Sequence, residues 1–457
     1  MNTKFFQEML VSIAERGRQL VDRSPARNAP KARRKSSEKS ADSIEKLSRD
    51  LLSGRGEASG VALARQLLDC YAALSVSDRI KFFQLLGRDF GPNQPALRSA
   101  WHEYDKDQSP NKLRKLLRAV EPPRQELFRR LNLAPGGTAA LVQMRQDLVE
   151  HGSKATELAS VDDDLVHLLY SWFNRGFLMM QRISWSSPAD ILERIIRYEA
   201  VHMIQGWDDL RRRLQPPDRR CYAFFHPSLV DEPLIFVEVA LSKEIPSSIQ
   251  SILADDRQVI PAEEATTAIF YSISNCQPGL RGISFGNFLI KQVVKDLSSD
   301  LPSLKTFVTL SPAPGFGSWL KRAAQDPREA DLERLDTAAL ARLDDPDWHR
   351  EKALAEHLRP QLMGLAAKYY LKAKTKNGQP LDPVARFHLG NGARLERLNW
   401  LGDTSPKGLQ EAAGLMVNYL YDLDTIEANH EAYANQGTVT ASPSVERQLR
   451  EFTHATA

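Results

Sequence analysis

Apolar positions along this chain follow two regimes. From Ser43 to Arg182 they recur every three or four residues, the spacing of one buried helix face. The stretches that carry it are SIEKLSRDLL, GVALARQLLDCYAAL, SDRIKFFQLLGRDF, NKLRKLLRAV, PRQELFRRLNL, AALVQMRQDLVEHG and DDLVHLLYSWFNRGFLMMQR. Punctuation agrees with the period. Ser77 stands as an N-cap, Pro122 and Pro123 break one helix and start the next, and Gly136-Gly137-Thr138 closes one and caps another. Ser187-Pro188-Ala189-Asp190 then predicts a fresh helix, ILERIIRYEA, with Ser187 as its cap and Pro188 at its first position. The expected division is residues 1–42 as an N-terminal helix and basic linker, 43–186 as an all-α domain, and 187–457 as a second domain.

From Cys221 the period becomes that of strands. CYAFFHP and EPLIFVEVAL flank a short turn and read as a hairpin. The stretch Thr266–Leu320 then organises the second domain. Its apolar, β-branched and aromatic run Ala268–Ile273 suits a strand buried on both faces. A turn from Asn275 to Asn287 carries Pro278, Gly279, Gly282 and Gly286, a helix with Phe288, Leu289, Val293 and Leu297 on one side follows, and Thr306–Leu310 is a second strand. Helices are expected again over Asp331–Leu343, Trp348–Leu371 and Ser405–Tyr421. A helix opening from a Gly-rich turn presents free N–H groups and a positive dipole end, which suit phosphate. The same unit is also an ordinary βαβ connection, and it matches neither the Walker A loop nor the dinucleotide fingerprint.

Composition narrows the classes. With 457 residues, 42% hydrophobic and 26% charged, the chain has material for two or three domains. A formal charge of +3 gives no global pull toward nucleic acid, so an anion site must be a local patch. Cys70, Cys221 and Cys276 are few and scattered, which argues against a disulfide framework and fits a reducing compartment. Apolar runs of about nine residues fall well short of the roughly 20 that span a bilayer. Residues 1–24 have helical periodicity but carry Glu8, Glu15 and Asp22, unlike a transit peptide, and the last residues are not a peroxisomal address. A cytoplasmic location is therefore expected. Arg23–Ser40, rich in Arg, Lys, Ser and Pro, reads as a flexible linker whose Lys31, Arg33, Arg34 and Lys35 either stay solvated or touch an acidic partner. His102, His151 and His167 lack a second ligand at metal spacing.

Four blocks in order, FYSISNCQPGLRGISFGNFLIKQVV, TLSPAPGFGSWL, DPVARFHLGNGARLERLNW and GLMVNYLY, resemble the malonyl-CoA decarboxylase family, with weaker similarity back to about Ser184. For the all-α N-terminal domain an oligomerisation role is expected, its Tyr170, Trp172, Phe173, Phe177, Met179 and Met180 either facing a partner subunit or packing in the core. The resemblance implies an α+β protein whose GNAT-like α/β catalytic domain binds an acyl-CoA. It implies malonyl-CoA as substrate, acetyl-CoA and CO2 as products, no metal, no organic cofactor, no nucleic acid and no membrane, and a homo-oligomer such as a tetramer.

It also assigns residues. Ser311 and His388 become the working pair, with Ser272 and Tyr421 beside them, although a turn serine, a core histidine, a strand-end serine and a helix-face aromatic are their plain readings. Gln277, Gly279, Leu280, Arg281, Gly282, Ser284 and Gly286 become the coenzyme A loop, and Asn391 brings backbone near the ligand or merely turns the chain. Animal members carry glutamate where this chain has Ser284, so an acid's duty cannot be transferred there. Arg211–Arg213 with Arg219-Arg220 is the densest basic patch of this half, either a site for the 3′-phosphate or a solvated helix end. His388 serves as acid toward carbon or as base toward Ser311. An acyltransferase on the same frame and a non-catalytic coenzyme A-binding scaffold are the competing classes.

Overall fold

The computed structural model describes residues 37–53, 56–152, 156–283, 288–323 and 337–456. The N-terminal amphipathic stretch, the Lys31–Lys35 cluster, Ser284 and Gly286 lie outside them. The architecture is α+β, in two compact units. One gathers the helical segment up to Met179 together with Phe225–Leu234 and the turn from Gln277. The other takes the rest.

The helical unit stacks Ser37–Leu52, Glu57–Ala72, Val76–Asp89, Gln94–Lys106, Pro110–Val120, Pro123–Asn132, Gly137–His151 and Thr156–Trp172. Its core is the periodic face the sequence announces: Leu67, Phe83, Leu86, Phe128, Leu131, Leu141, Met144, Leu165 and Leu169 are fully buried. The first helix starts at Ser37, inside the expected linker. Its neighbour Val76–Asp89 is capped by Ser75, not Ser77, because it is the Ser75 hydroxyl that reaches the Asp78 amide, at 3.2 Å. Pro110–Val120 buries no residue and pairs with Gln94–Lys106 as a hairpin that leaves Trp101, Leu117 and Val120 exposed.

The expected helix through Arg182 ends at Trp172. Asn174 folds its side-chain oxygen onto the Gly176 amide at 3.0 Å, which replaces the helical hydrogen bond and turns the chain. Met179–Ile183 is strand β1. Ser187 likewise is not a cap: its hydroxyl accepts from Ser184 N–H at 3.0 Å, and the helix begins after Pro188, as Ala189–Tyr198.

The second unit is built on an eight-stranded mixed sheet. Its remaining strands are β2 (Arg219–Phe225), β3 (Pro233–Ser242), β4 (Thr267–Asn275), β5 (Thr306–Thr309), β6 (Ser311–Pro312), β7 (Arg394–Asn399) and β8 (Met416–Leu420). The order is β1-β2-β3-β4-β5-β8-β6, with β7 on β8. Only β4 and β5 run parallel among the pairings with a defined register, and the helix Phe288–Asp300 supplies their crossover. Ile269, Tyr271, Val308 and Leu310 point into one apolar layer with Ile249, Ile252 and Met416. By alternation Phe270, Ser272, Thr309 and Ser311 share the opposite face.

The segment expected as one helix, Ser405–Tyr421, splits. Pro406–Ala412 is helical, Ala413 and Gly414 take φ of 50° and 76°, and the continuous apolar run that follows is β8, buried between β5 and β7. Gly364 sets a close contact in the same unit, since a Cβ there would stand 2.4 Å from the Phe452 ring. Helix Lys352–Leu371 meets helix Pro443–Thr456 at that point. Gly364→Ala should therefore lower unfolding stability by about 1–3 kcal/mol, read as a shift in the urea midpoint at unchanged slope. An unmoved midpoint would show that the helices adjust freely.

Candidate active site

The β4–β5 ladder runs from Thr267↔Thr306 to Phe270↔Thr309, and the Leu310 amide still reaches the Phe270 carbonyl at 3.0 Å. There the strands part company. Ser311 and Pro312 stay on β8, opposite Val417 and Met416 in the register that sets Val308 opposite Leu420, while β4 continues to Asn275. Pro312 has no N–H to continue the ladder toward β4. Extending the register two places brings Ser272 level with Ser311 on the same face. The β4–β5 hydrogen bonds thus end level with these two hydroxyls.

Ser311 is buried and its hydroxyl donates to Thr309 Oγ1 at 2.9 Å, which also accepts the Tyr419 amide at 3.1 Å. His388 Nε2 lies 3.1 Å from Ser311 Oγ, and its Nδ1 lies 2.7 Å from the Tyr421 hydroxyl. The imidazole stacks on Tyr419, with ring centroids 4.6 Å apart. Ser311, His388 and Tyr421, separated by up to 110 positions in sequence, thus form one buried line of hydrogen bonds.

His388 reaches this place on the helix Pro383–Gly390, which is fixed at both ends. Asp382 caps its start, accepting the Ala385 amide at 2.8 Å and the Tyr369 hydroxyl at 3.3 Å. The same carboxylate accepts the Gly315 amide, from the turn that follows Ser311, so one buried group ties both halves of the pair. At the other end the Asn391 carboxamide donates to Phe387 O at 2.6 Å. Gly392 then takes φ +83°, where a Cβ would meet the Ile426 carbonyl at 2.0 Å.

Electrostatics follow from burial. Desolvation alone pulls the His388 imidazole down to about 3, so it is neutral at pH 7, with roughly one molecule in ten thousand protonated. The same cause pushes the Tyr421 phenol well above its usual range, which keeps it a hydroxyl. Among the described residues no group of three His, Cys, Asp or Glu side chains gathers to hold a metal.

Ser272 is buried and its hydroxyl donates to both oxygens of Glu199, at 2.9 and 2.7 Å. Glu199 also accepts the Val201 and His202 amides at 2.9 and 2.8 Å and the Ser274 hydroxyl at 3.1 Å. Sequence reasoning missed Glu199, Thr309 and Asp382. A lone acid at a helix end carries no pattern, whereas the Asp-Pro pair before VARFH is a legible cap-and-first-turn signal.

The proposed coenzyme A loop belongs to the helical unit. Gln277 donates to Pro233 O at 3.1 Å, and Leu280 is fully buried. Gly279 sits where a Cβ would meet the Val142 carbonyl at 2.0 Å, and Arg145 donates to the Gly279 and Arg281 carbonyls at 2.7 and 2.8 Å. Arg281 and Gly282 are exposed, the latter at φ +83° with open space beside it. In the basic patch, Arg213 is buried on Asp209 and Glu238, Arg219 on Asp218 and the Ile252 carbonyl, and Arg211 lies over Trp185. Burial and pairing remove Arg213 and Arg219 from any phosphate.

The chain matches known proteins along most of its length. A family profile described as "Malonyl-CoA decarboxylase C-terminal domain" covers residues 176–457, and one described as "Malonyl-CoA decarboxylase N-terminal domain" covers residues 90–173. "Malonyl-CoA decarboxylase, mitochondrial" of Anser anser anser is 40% identical over 360 residues, 73% of this chain and 70% of that protein. The Rattus norvegicus protein of the same name is 37% identical over 364 residues, 73% and 72% of the two chains. The crystal structure of malonyl-CoA decarboxylase from Rhodopseudomonas palustris superposes with a TM-score of 0.87 at 57% identity, over 89% of this chain and 99% of that one. That from Agrobacterium vitis gives 0.85 at 55%, over the same shares. With both halves matched in order, and with Ser311, His388 and Tyr421 of the buried line each falling in one of the sequence blocks, this chain belongs to the malonyl-CoA decarboxylase family.

Proposed function

We propose that this protein converts malonyl-CoA to acetyl-CoA and CO2 with Ser311 and His388 at the reacting head group, and that the step uses no metal and no organic cofactor. The observation that carries the assignment is the 3.1 Å contact between Ser311 Oγ and His388 Nε2 inside a buried face. The thioester is its own electron sink, so the protein has to fix the breaking C–C bond perpendicular to the thioester plane and stabilise an enolate. The end of the β4–β5 ladder level with Ser272 and Ser311 suits a GNAT-like acyl-CoA site.

The hydrogen-bond line assigns the tautomer. Tyr421 has His388 Nδ1 as its single partner among the described residues, so its O–H donates there. Nε2 then carries the imidazole proton and points it at Ser311, whose own proton goes to Thr309. In the free enzyme His388 is therefore a donor, which favours its role as acid toward carbon over base toward Ser311. The malonyl carboxylate brings negative charge into this desolvated pocket and raises the imidazole's affinity for a second proton. Decarboxylation consumes one proton overall, and His388 hands it to the enolate carbon from Nε2 while Tyr421 holds Nδ1. Ser311 holds the departing carboxylate in its torsion.

The exposed face of the Gln94–Lys106 and Pro110–Val120 hairpin is the surface through which we expect the helical unit to bind a second copy of the chain. Cys70, Cys221 and Cys276 form no disulfide, and the last two are buried, which suits a reducing compartment.

Incubation with malonyl-CoA and no amine should release CO2 and acetyl-CoA, at a rate unchanged after dialysis against EDTA. Dependence on an acceptor would mean acyl transfer, and binding without turnover a scaffold. Ser311→Ala and His388→Ala should each lower kcat roughly a hundredfold or more, and near wild-type turnover in either removes that residue from the mechanism. The kcat/KM profile should show no ionisation near 6.5 from His388, because the free imidazole stays neutral down to about 3. Loss of kcat/KM as pH rises through 6.5, abolished in His388→Gln, would contradict the neutral resting form. Leu117→Asp should lower the mass seen by light scattering to that of a smaller assembly.

A further inference from the structure

Glu199 is a buried carboxylate that the mechanism above does not use. It receives two backbone N–H groups on Oε1 and the hydroxyls of Ser272 and Ser274 on Oε2, with Ser272 bridging both oxygens. A carboxylate accepts and does not donate, so the one proton of the Ser272 hydroxyl is committed to Glu199. Ser274 Oγ lies 3.2 Å from Ser272 Oγ and engages at most one of its lone pairs, so a lone pair of Ser272 remains as acceptor where β4 and β5 part, level with Ser311.

The substrate offers little that a lone pair can receive. The malonyl head and the thioester have acceptors only. The nearest donor is the amide N–H of the coenzyme A arm, two carbons from sulfur. Resting on the reading of this site as the malonyl-CoA site, we propose that Glu199 is a positioning residue that orients the Ser272 hydroxyl as an acceptor for that amide N–H, setting how far the thioester slides toward Ser311 and His388. The backbone contacts at Oε1 make the arrangement one-sided. In Glu199→Gln, the side-chain oxygen has to stay on the Val201 and His202 amides, so the NH2 group takes the place of Oε2 against Ser272. Ser272 then accepts from that NH2 group and turns its own proton into the site.

The test compares malonyl-CoA with an analogue in which that amide N–H is replaced by an ester oxygen. Wild-type enzyme should lose roughly tenfold in kcat/KM on the ester, most of it in KM. Ser272→Ala should lose a similar factor on malonyl-CoA and show no further loss on the ester. Glu199→Gln should copy that pattern, with a circular dichroism spectrum and melting midpoint near wild type. Equal penalties on both substrates in Ser272→Ala, or a wild-type enzyme that does not distinguish them, would overturn the proposal. If Glu199→Gln fails to fold, Ser272→Ala on the two substrates decides alone. A wild-type protein that releases no CO2 from malonyl-CoA is a different failure, that of the parent reading.

Discussion

The hydrogen bond between Ser311 and His388 rests on one antiparallel pairing, β5 and β6 against β8, which holds its register past the point where β4 and β5 part. The chain keeps to β8 on its other edge, Val308 opposite Leu420 and Ser311 opposite Val417, and β8 delivers Tyr419 under the imidazole and leads straight to Tyr421 behind it. One continuous pairing thus assembles three of the participating side chains. The helix that brings His388 is held to the same turn by Asp382, so the pair's spacing depends on a cap rather than on a flexible loop.

Placing this line out of water has two consequences. A buried hydroxyl or imidazole left without a partner costs about 1–3 kcal/mol, and here each of Ser311, His388 and Tyr421 has at least one. Desolvation also disfavours charge, which sets His388 neutral and Tyr421 protonated before substrate arrives. Glu238 obeys the same rule elsewhere in the unit, where burial, with Glu199 adding to it, pushes its carboxyl up to about 8 against the pull of Arg213. On the proposed reading, charge enters the site with the malonyl carboxylate, and proton affinity changes at that moment rather than in the free protein.

Much of this was legible in the sequence. Helix faces in the first unit follow a single period, and the strand, turn, helix and strand around Thr266–Leu320 stand as their apolar runs indicate. The failures were local. FLMMQR fits a helical period on composition, yet the Asn174 side chain outcompetes the helix at Gly176. GLMVNYL is apolar nearly throughout, the pattern of a strand buried on both faces, which periodicity alone does not separate from a buried helix. Ser77 and Ser75 both have cap chemistry, and only geometry selects one. Glu199 was invisible for another reason: its partners are serines 73 and 75 positions away, and no spacing rule joins them.

A crystal structure with a malonyl-CoA analogue that cannot lose CO2 bound tests the central claim most directly. The account predicts the malonyl head between β4 and β6, with its carboxylate within about 3 Å of Ser311 Oγ and its central carbon facing His388 Nε2 within about 3.5 Å. A head group seated elsewhere, with Ser311 and His388 still bonded only to each other, would contradict it.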